Sequence, residues 1–293
     1  MLAHLSDPHL GPLPKVRLTE FNSKRVIGYM NWRGGRGRTF EERSLAALVG
    51  DVCTIGPDHI AVTGDLVNLG LDAEFDTALA WLHTLGDPKD VTVVPGNHDA
   101  YVARAVAHYS TKWLPFATGD RPDKTMAFPF VRKRGPLAII GVSTAVATAP
   151  LMATGRVDAH QAMELGEALA AAGSDGLCRV VLIHHSPVKD ATAWPRRLIG
   201  AKYVRQAIAR HGAELVLHGH NHKTSVAHIP GPDGPVPVIG AAGLSMKPQG
   251  RRKGGAYNLF RIEGRKRPFR IELTVRGFNA AGAVATVAER ELG

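Results

Sequence analysis

Five short polar clusters in this chain carry the residue types that bind divalent metal ions. They mix carboxylate, imidazole and amide oxygen, the hard and borderline donors that such ions favour. Each cluster follows directly after an apolar run. Any one cluster could have a purely structural role, as a helix cap, a turn or a buried hydrogen-bonded histidine. To exclude a metal site, such a role would have to apply to all five clusters. In chain order they are Asp7-Pro-His9, Gly64-Asp65, Gly96-Asn97-His98-Asp99, His184-His185 and His218-Gly-His220-Asn-His222.

Spacing within the clusters favours a pair of ions. Asp7 and His9 are separated by one residue, as are His220 and His222, and such side chains point the same way in an extended chain. Asp65 follows a glycine that permits close backbone approach. One carboxylate of this kind could bridge two ions. Two ions about 3.5–4 Å apart can hold the attacking and leaving oxygens of an in-line displacement, and can lower the pKa of bound water toward about 7. The pattern therefore predicts hydrolysis of a phosphate ester by metal-activated hydroxide, with Mn, Fe or Zn favoured by the abundant imidazole.

Short strands alternating with helices must position these clusters. Ligands of open α/β sheets bind beyond the carboxyl ends of the strands, so clusters placed there should converge on one crevice. Hydrophobic patterning predicts strands at 2–6, 59–63, 91–94, 127–131, 137–142, 179–183, 214–217, 224–229, 236–239, 256–262 and 269–275. It predicts helices at 39–54, with Thr39 as the N-cap, and at 72–85, 101–114, 158–172 and 202–211.

One α/β domain with two packed sheets, covering residues 1–276, fits this alternation. Residues 11–38 show no clean period and are expected to form a basic loop insertion with one helical turn near 21–27. Residues 224–276 are mostly strand-like and are assigned to the second sheet. Residues 277–293 are expected to be a loosely held C-terminal tail.

Composition excludes several classes of protein. Hydrophobic residues make up 44% of the 293 residues, which is enough for a substantial core. The chain has neither the roughly 20 consecutive apolar residues of a membrane helix nor a signal-peptide pattern, so a cytoplasmic protein, or one peripheral at the membrane surface, is expected. Its two cysteines, Cys53 and Cys178, are too few for a disulfide framework or a zinc ribbon. We interpret both as small core residues.

The formal net charge of +10 favours a polyanionic partner: a phosphorylated small molecule, an anionic membrane surface or nucleic acid. General solubility explains such a charge equally well. The basic residues do cluster, in an early and a late segment. They are Lys15, Arg17, Lys24, Arg25, Arg33, Arg36 and Arg38, and then Arg251, Arg252, Lys253, Arg265, Lys266 and Arg267.

The motifs that end the predicted strands resemble those of the calcineurin-like metallophosphoesterase superfamily, and within it the class III cyclic-nucleotide-phosphodiesterase-like bacterial branch. They span residues 7 to 222 in the family's order. The resemblance implies a four-layer α/β/β/α sandwich of two mixed sheets flanked by helices. It also implies two metal sites that share Asp65. One would be formed by Asp7, His9, Asp65 and His222, and the other by Asp65, Asn97, His184 and His220.

The resemblance assigns further roles at the site. His98 would donate to a phosphate oxygen or to the leaving group, and Asp99 would orient it. His184 is expected to be the ligand rather than His185, because the family's pattern uses the first histidine after the strand. Asn68 stands where many members carry a second acid, so we expect it to tune the site rather than to abolish metal binding.

A dinuclear-metal phosphodiesterase is the leading functional hypothesis, and three alternatives remain open. The first is a membrane-surface hydrolase of a phospholipid or a nucleotide-lipid pyrophosphate, with the basic segment 15–38 as a lid or membrane patch. The second is a nuclease, which the charge favours although no aromatic pattern for stacking along a single strand is evident. The third is a non-catalytic metal-bound scaffold, against which the intact set of ligand candidates and His98 argue. The oligomeric state stays undecided.

Overall fold

The computed structural model describes residues 1–21, 23–120, 124–248 and 254–292. Within them, strands and helices are interspersed up to about residue 218, and the remaining elements are strands. The strands are β1 (Leu2–Leu5), β2 (His59–Val62), β3 (Val91–Val93), β4 (Phe130–Arg134), β5 (Leu137–Val142), β6 (Gly155–Arg156), β7 (Cys178–Ile183), β8 (Leu198–Ile199), β9 (Leu215–His218), β10 (Ser225–Gly231), β11 (Gly234–Gly240), β12 (Ala256–Glu263), β13 (Arg270–Phe278) and β14 (Val284–Glu291). The helices are α1 (Ser23–Arg33), α2 (Glu42–Ile55), α3 (Asp72–Leu85), α4 (Ala103–Lys112), α5 (Ala159–Ser174) and α6 (Ala201–His211).

Two mixed sheets of six strands each form the framework. The first has the order β14-β13-β12-β1-β2-β3, with β1, β2 and β3 parallel and the other neighbours antiparallel. The second has the order β10-β11-β9-β7-β5-β4, with parallel pairing from β5 through β7 and β9 to β11. Strands β6 and β8 pair separately in a short parallel ribbon.

Alternate residues of the second sheet face two different hydrophobic clusters. Val180 and Leu182 of β7 belong to the larger cluster, which also contains the buried side chains of the first sheet and of α2 and α3. Val181 and Ile183 belong to the other cluster, together with buried residues of α5 and α6. Each fully buried Val, Leu or Ile contributes about 1.5–3 kcal/mol relative to an exposed one. The predicted α/β fold of two mixed sheets flanked by helices is confirmed.

The segment 11–38 is more ordered than the expected loop. It contains α1, a helix of 11 residues, between 3-10 turns at Leu18–Glu20 and Arg36–Thr39. The buried side of α1 is polar: Lys24 Nζ donates to Thr148 Oγ1 at 2.7 Å, and Arg25 Nε donates to Leu69 O at 3.1 Å. Because the helix is held by hydrogen bonds rather than by an apolar stripe, hydrophobic periodicity could not predict it.

The assignments for the C-terminal third need two corrections. Residues 224–276 divide between the sheets, because β10 and β11 join the second sheet whereas β12 and β13 return to pair with β1. The expected tail instead begins within β13 and contains β14, which pairs along β13 as an edge strand. Its side chains are largely exposed, so it carries no alternating apolar signal.

Smaller differences concern single residues and element ends. Helix α2 begins at Glu42 with Glu41 as its N-cap, whereas Thr39 lies in the preceding 3-10 turn. Cys178 is buried as expected, but Cys53 is exposed on α2. Strand β4 begins three residues later than expected, and α4 is shorter at both ends. Among the described residues, no helix is both long enough and apolar enough to span a bilayer. Arg251, Arg252 and Lys253 of the late basic segment lie outside the described residues.

Candidate metal centre

The polar clusters follow the carboxyl ends of parallel strands, and this brings them together. Asp7 and His9 follow β1, Asp65 follows the adjacent β2, and Asn97 follows β3. On the facing sheet His184 follows β7, and the segment after β9 carries His220 and His222. Side chains separated by more than 200 positions thereby become neighbours; for example, Asp7 Oδ2 accepts a hydrogen bond from the backbone N–H of His220 at 3.0 Å.

The backbone at this site adopts a conformation that side-chain-bearing residues rarely use. Seven non-glycine residues of the described chain have a positive φ, and five of them belong to the clusters. Such left-handed conformations cost about 1–3 kcal/mol each and persist where the surrounding structure enforces them, most often at functional sites. The five are Asp7 (51°), His9 (40°), Asp65 (57°), His220 (65°) and His222 (51°).

The first group of donors combines carboxylates with imidazoles. Asp7, His9, Asp65 and His222 each place one potential ligand atom within 4.8 Å of the others. His222 Nε2 lies 3.1 Å from Asp7 Oδ1 and 3.2 Å from His9 Nε2. The distance from His9 Nε2 to Asp65 Oδ2 is 3.8 Å. These are the four residues implied by the resemblance for one ion.

The second group of donors lies on the other side of Asp65. His184 Nε2 is 3.4 Å from Asp65 Oδ2 and 3.2 Å from Asn97 Oδ1. The rings of His184 and His220 are 5.2 Å apart. Asp65 is therefore adjacent to both groups, as a bridging carboxylate must be.

His185 also lies beside the second group, where His184, His185 and His220 bring nitrogen atoms within 4.8 Å of one another. Both of its ring nitrogens already have protein partners: Nδ1 contacts Thr144 Oγ1 at 2.7 Å and Nε2 contacts Ala153 O at 3.1 Å. His184 uses only Nδ1 in this way, toward Thr63 O at 2.6 Å, so its Nε2 is directed at Asp65 and Asn97. The geometry therefore favours His184 as the ligand.

Backbone carbonyl groups orient the histidine rings, a feature that the sequence analysis missed. His9 Nδ1 lies 3.2 Å from Val67 O, and His98 Nδ1 lies 2.6 Å from Asn68 O. His220 Nε2 lies 2.9 Å from Arg196 O, which leaves its Nδ1 as the atom available to an ion. Such contacts place the ring hydrogen on one nitrogen and fix which nitrogen can bind metal. A backbone carbonyl group has no signature in a sequence, although two of these belong to Val67 and Asn68, shortly after the Gly64-Asp65 motif.

Asp99 has a different role from the one that the resemblance implies. Its carboxylate accepts four hydrogen bonds from backbone N–H groups at 2.8–3.2 Å and makes none with the His98 side chain. These bonds tie the turn after β2 to the turn after β3. The donors are Asp65, Leu66, Val67 and Gly96. His98 is oriented instead by the carbonyl group of Asn68, whose side-chain Nδ2 donates to Leu10 O at 2.8 Å.

Glycines allow the two sheets to approach at the site. A Cβ added to Gly219 would lie 2.5 Å from Asp7 Oδ2 and would collide with Ser6 Oγ. A Cβ added to Gly96 would lie 2.7 Å from His184 Cε1 and would collide with Asp65 Oδ1. Both positions therefore exclude any side chain.

Electrostatics distinguish the members of the site. Burial alone would raise the pKa of Asp65, but positive charge on His184 and His98 holds it well below its usual range. Burial alone would lower the pKa of His184, but the Asp65 carboxylate outweighs it and raises this pKa to about 9. Burial, reinforced by His184, lowers the pKa of His220 to about 3. Burial and Asp65 raise the pKa of Asp99 to about 7, against the opposing effect of its backbone hydrogen bonds.

The residues present fit a pair of divalent ions. Asp7 Oδ1 is fully buried, and among the described residues it accepts no hydrogen bond of acceptable geometry, although His222 Nε2 lies 3.1 Å away. A buried carboxylate oxygen in this position favours a bound cation. The donor set of two carboxylates, an amide oxygen and four histidines is of the kind that suits transition ions such as Mn, Fe or Zn. The ligand and catalytic assignments themselves stay predictions.

Comparison with known proteins decides the family. The sequence model described as calcineurin-like phosphoesterase matches residues 1–224, which is well over half of the chain. The chain belongs to this family. No curated protein sequence matches it at a significant level.

Solved structures with a similar fold include phosphatases, all at low sequence identity. A dimetal phosphatase from Danio rerio superposes with a TM-score of 0.60 at 13% identity, over 99% of this chain and 97% of that one. A purple acid phosphatase from seeds of yellow lupin, Lupinus luteus, gives a TM-score of 0.59 at 10% identity, over 97% of this chain and 52% of that one. At such identities the likeness shows the fold.

Proposed function

We propose that this chain is a phosphodiesterase with two metal ions and belongs to the class III cyclic-nucleotide-phosphodiesterase-like branch of its family. Asp7, His9, Asp65 and His222 would hold one ion. Asp65, Asn97, His184 and His220 would hold the other. When bound, such a pair supplies positive charge to the phosphoryl oxygens and acidifies water, which phosphate ester hydrolysis needs. Family membership supports a metal-dependent phosphoester hydrolase, and the diester preference is the further step.

The observation that carries the diester preference is that two cavities border the centre. A cavity of about 900 Å³ is lined by Asp65, Asn97 and His98, among others. A second cavity of about 640 Å³ is lined by His9 and by Trp32 of α1. Phe40 lines both. A phosphorus atom at the centre would thus have space for two substituents, one in each cavity, which a diester requires and a monoester does not.

His98 is positioned to exchange a proton with a substrate. Its backbone N–H donates to Asp65 Oδ1 at 2.7 Å, which fixes the residue against the shared carboxylate. Its Nδ1 donates to Asn68 O, so Nε2 is the nitrogen for a phosphate oxygen or the departing alkoxide. A general acid placed in this way contributes about 10²–10⁴-fold to a rate.

Rates on paired substrates test this proposal. The Mn²⁺-loaded protein should hydrolyse bis(4-nitrophenyl) phosphate with a kcat/KM at least about tenfold above that for 4-nitrophenyl phosphate, a difference of about 1.4 kcal/mol in the barrier. Protein stripped with chelator serves as the control and should be inactive until Mn²⁺ is restored. A preference for the monoester would refute the diesterase assignment. Cleavage of single-stranded DNA in preference to both aryl esters would favour a nuclease.

A further inference from the structure

The larger cavity continues well beyond the candidate metal centre. One end is lined by Asp65, Asn97 and His98, and the other end reaches the hairpin of β13 and β14. Its volume of about 900 Å³ falls in the range of sites that enclose a whole small-molecule ligand. A phosphate group at the centre would leave most of this space to the rest of the substrate.

The far wall of this cavity is apolar. We call it the distal wall and define it by Val275, Gly277 and Phe278 of β13 with Val287 and Ala288 of β14. None of these five residues carries a polar side chain. Met246, Ala242 and Ala256 continue the apolar lining toward the centre. The lining of the cavity therefore changes from candidate metal ligands and charged side chains at one end to aliphatic and aromatic side chains at the other.

An irregularity in β14 builds the distal wall. Val275 pairs with Ala288, but the next residue, Arg276, pairs with Thr286, so Val287 is an extra residue in the strand. In a regular strand, consecutive side chains point to opposite faces, and a bulge is the usual way to redirect one of them. Consecutive residues Val287 and Ala288 both line the cavity. Val287 is 39% exposed, so part of its side chain is accessible to a ligand in this cavity.

The distal wall is not among the features that family membership explains. The family match ends at residue 224, whereas every residue of the wall follows residue 274. The wall therefore belongs to a part of the chain in which specificity can differ from that of other members.

We propose that the distal wall binds an apolar group of the substrate, so that the substrate class is phosphate esters with an aliphatic or aryl substituent. This inference rests on the proposed function, because that function places the phosphate at Asp65 and His98. The phosphate and the apolar substituent would occupy opposite ends of one cavity. Each methylene group removed from water strengthens binding by about three- to fourfold, so the wall can discriminate strongly between short and long substituents.

Binding of a homologous series tests the inference without requiring turnover. The Mn²⁺-loaded full-length protein is titrated by calorimetry with methyl-, butyl- and octylphosphonate, each well below the concentration at which micelles form. The Kd should fall by about 30-fold from methyl to butyl, at about threefold per methylene, and should fall further for octyl. In Val287→Asn, which adds a polar group but no charge, methylphosphonate should bind as in the parent while most of the chain-length gain is lost.

Val26→Asn is the matched control, because Val26 on α1 is 41% exposed and lines neither cavity. It should keep the full chain-length gain. A Kd that does not depend on chain length in the parent, or an equal gain in parent and Val287→Asn, would overturn the inference. Failure of the parent protein to bind octylphosphonate would also overturn the inference.

Hydrolysis of methyl 4-nitrophenyl phosphate by the same preparations separates this inference from the proposed function. Absence of turnover with the chain-length gain intact would sink the diesterase and leave the apolar subsite. Turnover without the chain-length gain would refute the apolar subsite and leave the diesterase.

Discussion

The two groups of donors on either side of Asp65 differ in charge. The first contains a carboxylate of its own, Asp7, whereas the second contains Asn97 and two histidines and obtains negative charge only from Asp65. Apart from the half-buried His222, the members of both groups are buried, where an uncompensated charge is costly. This difference predicts that mutation or a change of pH affects the binding of the two ions unequally. Loss of the shared carboxylate should weaken binding of both ions, and of the second ion more than the first.

The largest effect is expected from Asp65→Asn, which removes the shared charge while keeping the shape of the side chain. Binding of both ions should be lost or greatly weakened, and kcat/KM should fall by about 10⁴-fold or more. Metal content after gel filtration and rates on a diester measure this. Retention of both ions by Asp65→Asn would contradict the claim that the two groups share this carboxylate.

A matched pair of histidine variants should separate ligand from neighbour. His184→Ala should lose the second ion alone and lower kcat/KM by about 10³-fold, since only the Asp7 side of the centre stays complete. His185→Ala should keep both ions, because its ring nitrogens serve Thr144 and Ala153. It should lower the free energy of unfolding by about 1–3 kcal/mol through the buried partner left unsatisfied. The reverse pattern in metal content would make His185 the ligand.

His98→Gln tests the residue that belongs to neither group. The variant should lower kcat by about 10²-fold, since a general acid is lost, while metal content stays that of the parent. Elemental analysis of the same preparations provides the control. Equal rates in variant and parent would remove His98 from the chemistry, and if both were inactive on every ester, a non-catalytic scaffold would gain support.

The smallest effect, and the sharpest test of the difference between the groups, is pH dependence of metal binding. Asp65 raises the pKa of His184 to about 9 in the absence of metal, so a proton must leave before the second ion binds. Affinity for that ion should fall about tenfold for each pH unit below about 9 and level off above it. The carboxylates of the first group have lowered pKa values and are already ionised, so its binding step should change less. Calorimetric titration with Mn²⁺ at several pH values resolves the steps; equal slopes would contradict this difference.

Sequence reasoning succeeded where apolar strands end in polar clusters. The strands that precede Asp7, Asp65, Asn97, His184 and His220 were predicted to within one residue at each end, because buried parallel strands form continuous apolar runs. It failed where structure depends on polar or exposed groups. Helix α1 is held by Lys24 and Arg25, and β14 exposes most of its side chains, so neither leaves a hydrophobic pattern.

The site shows the same division. Ligand types and their order could be read from the chain, but the partners of Asp99 could not. A buried carboxylate that serves backbone N–H groups looks the same in a sequence as one that serves a histidine ring. The bulge that turns Val287 into the cavity depends on strand register, which becomes visible only when β13 and β14 are paired.

Anomalous diffraction from crystals soaked in Mn²⁺ tests the central claim most directly. We expect two peaks about 3.5–4 Å apart, with the carboxylate of Asp65 between them and His184 beside one of them. A single peak, or two peaks that do not share Asp65, would contradict the account.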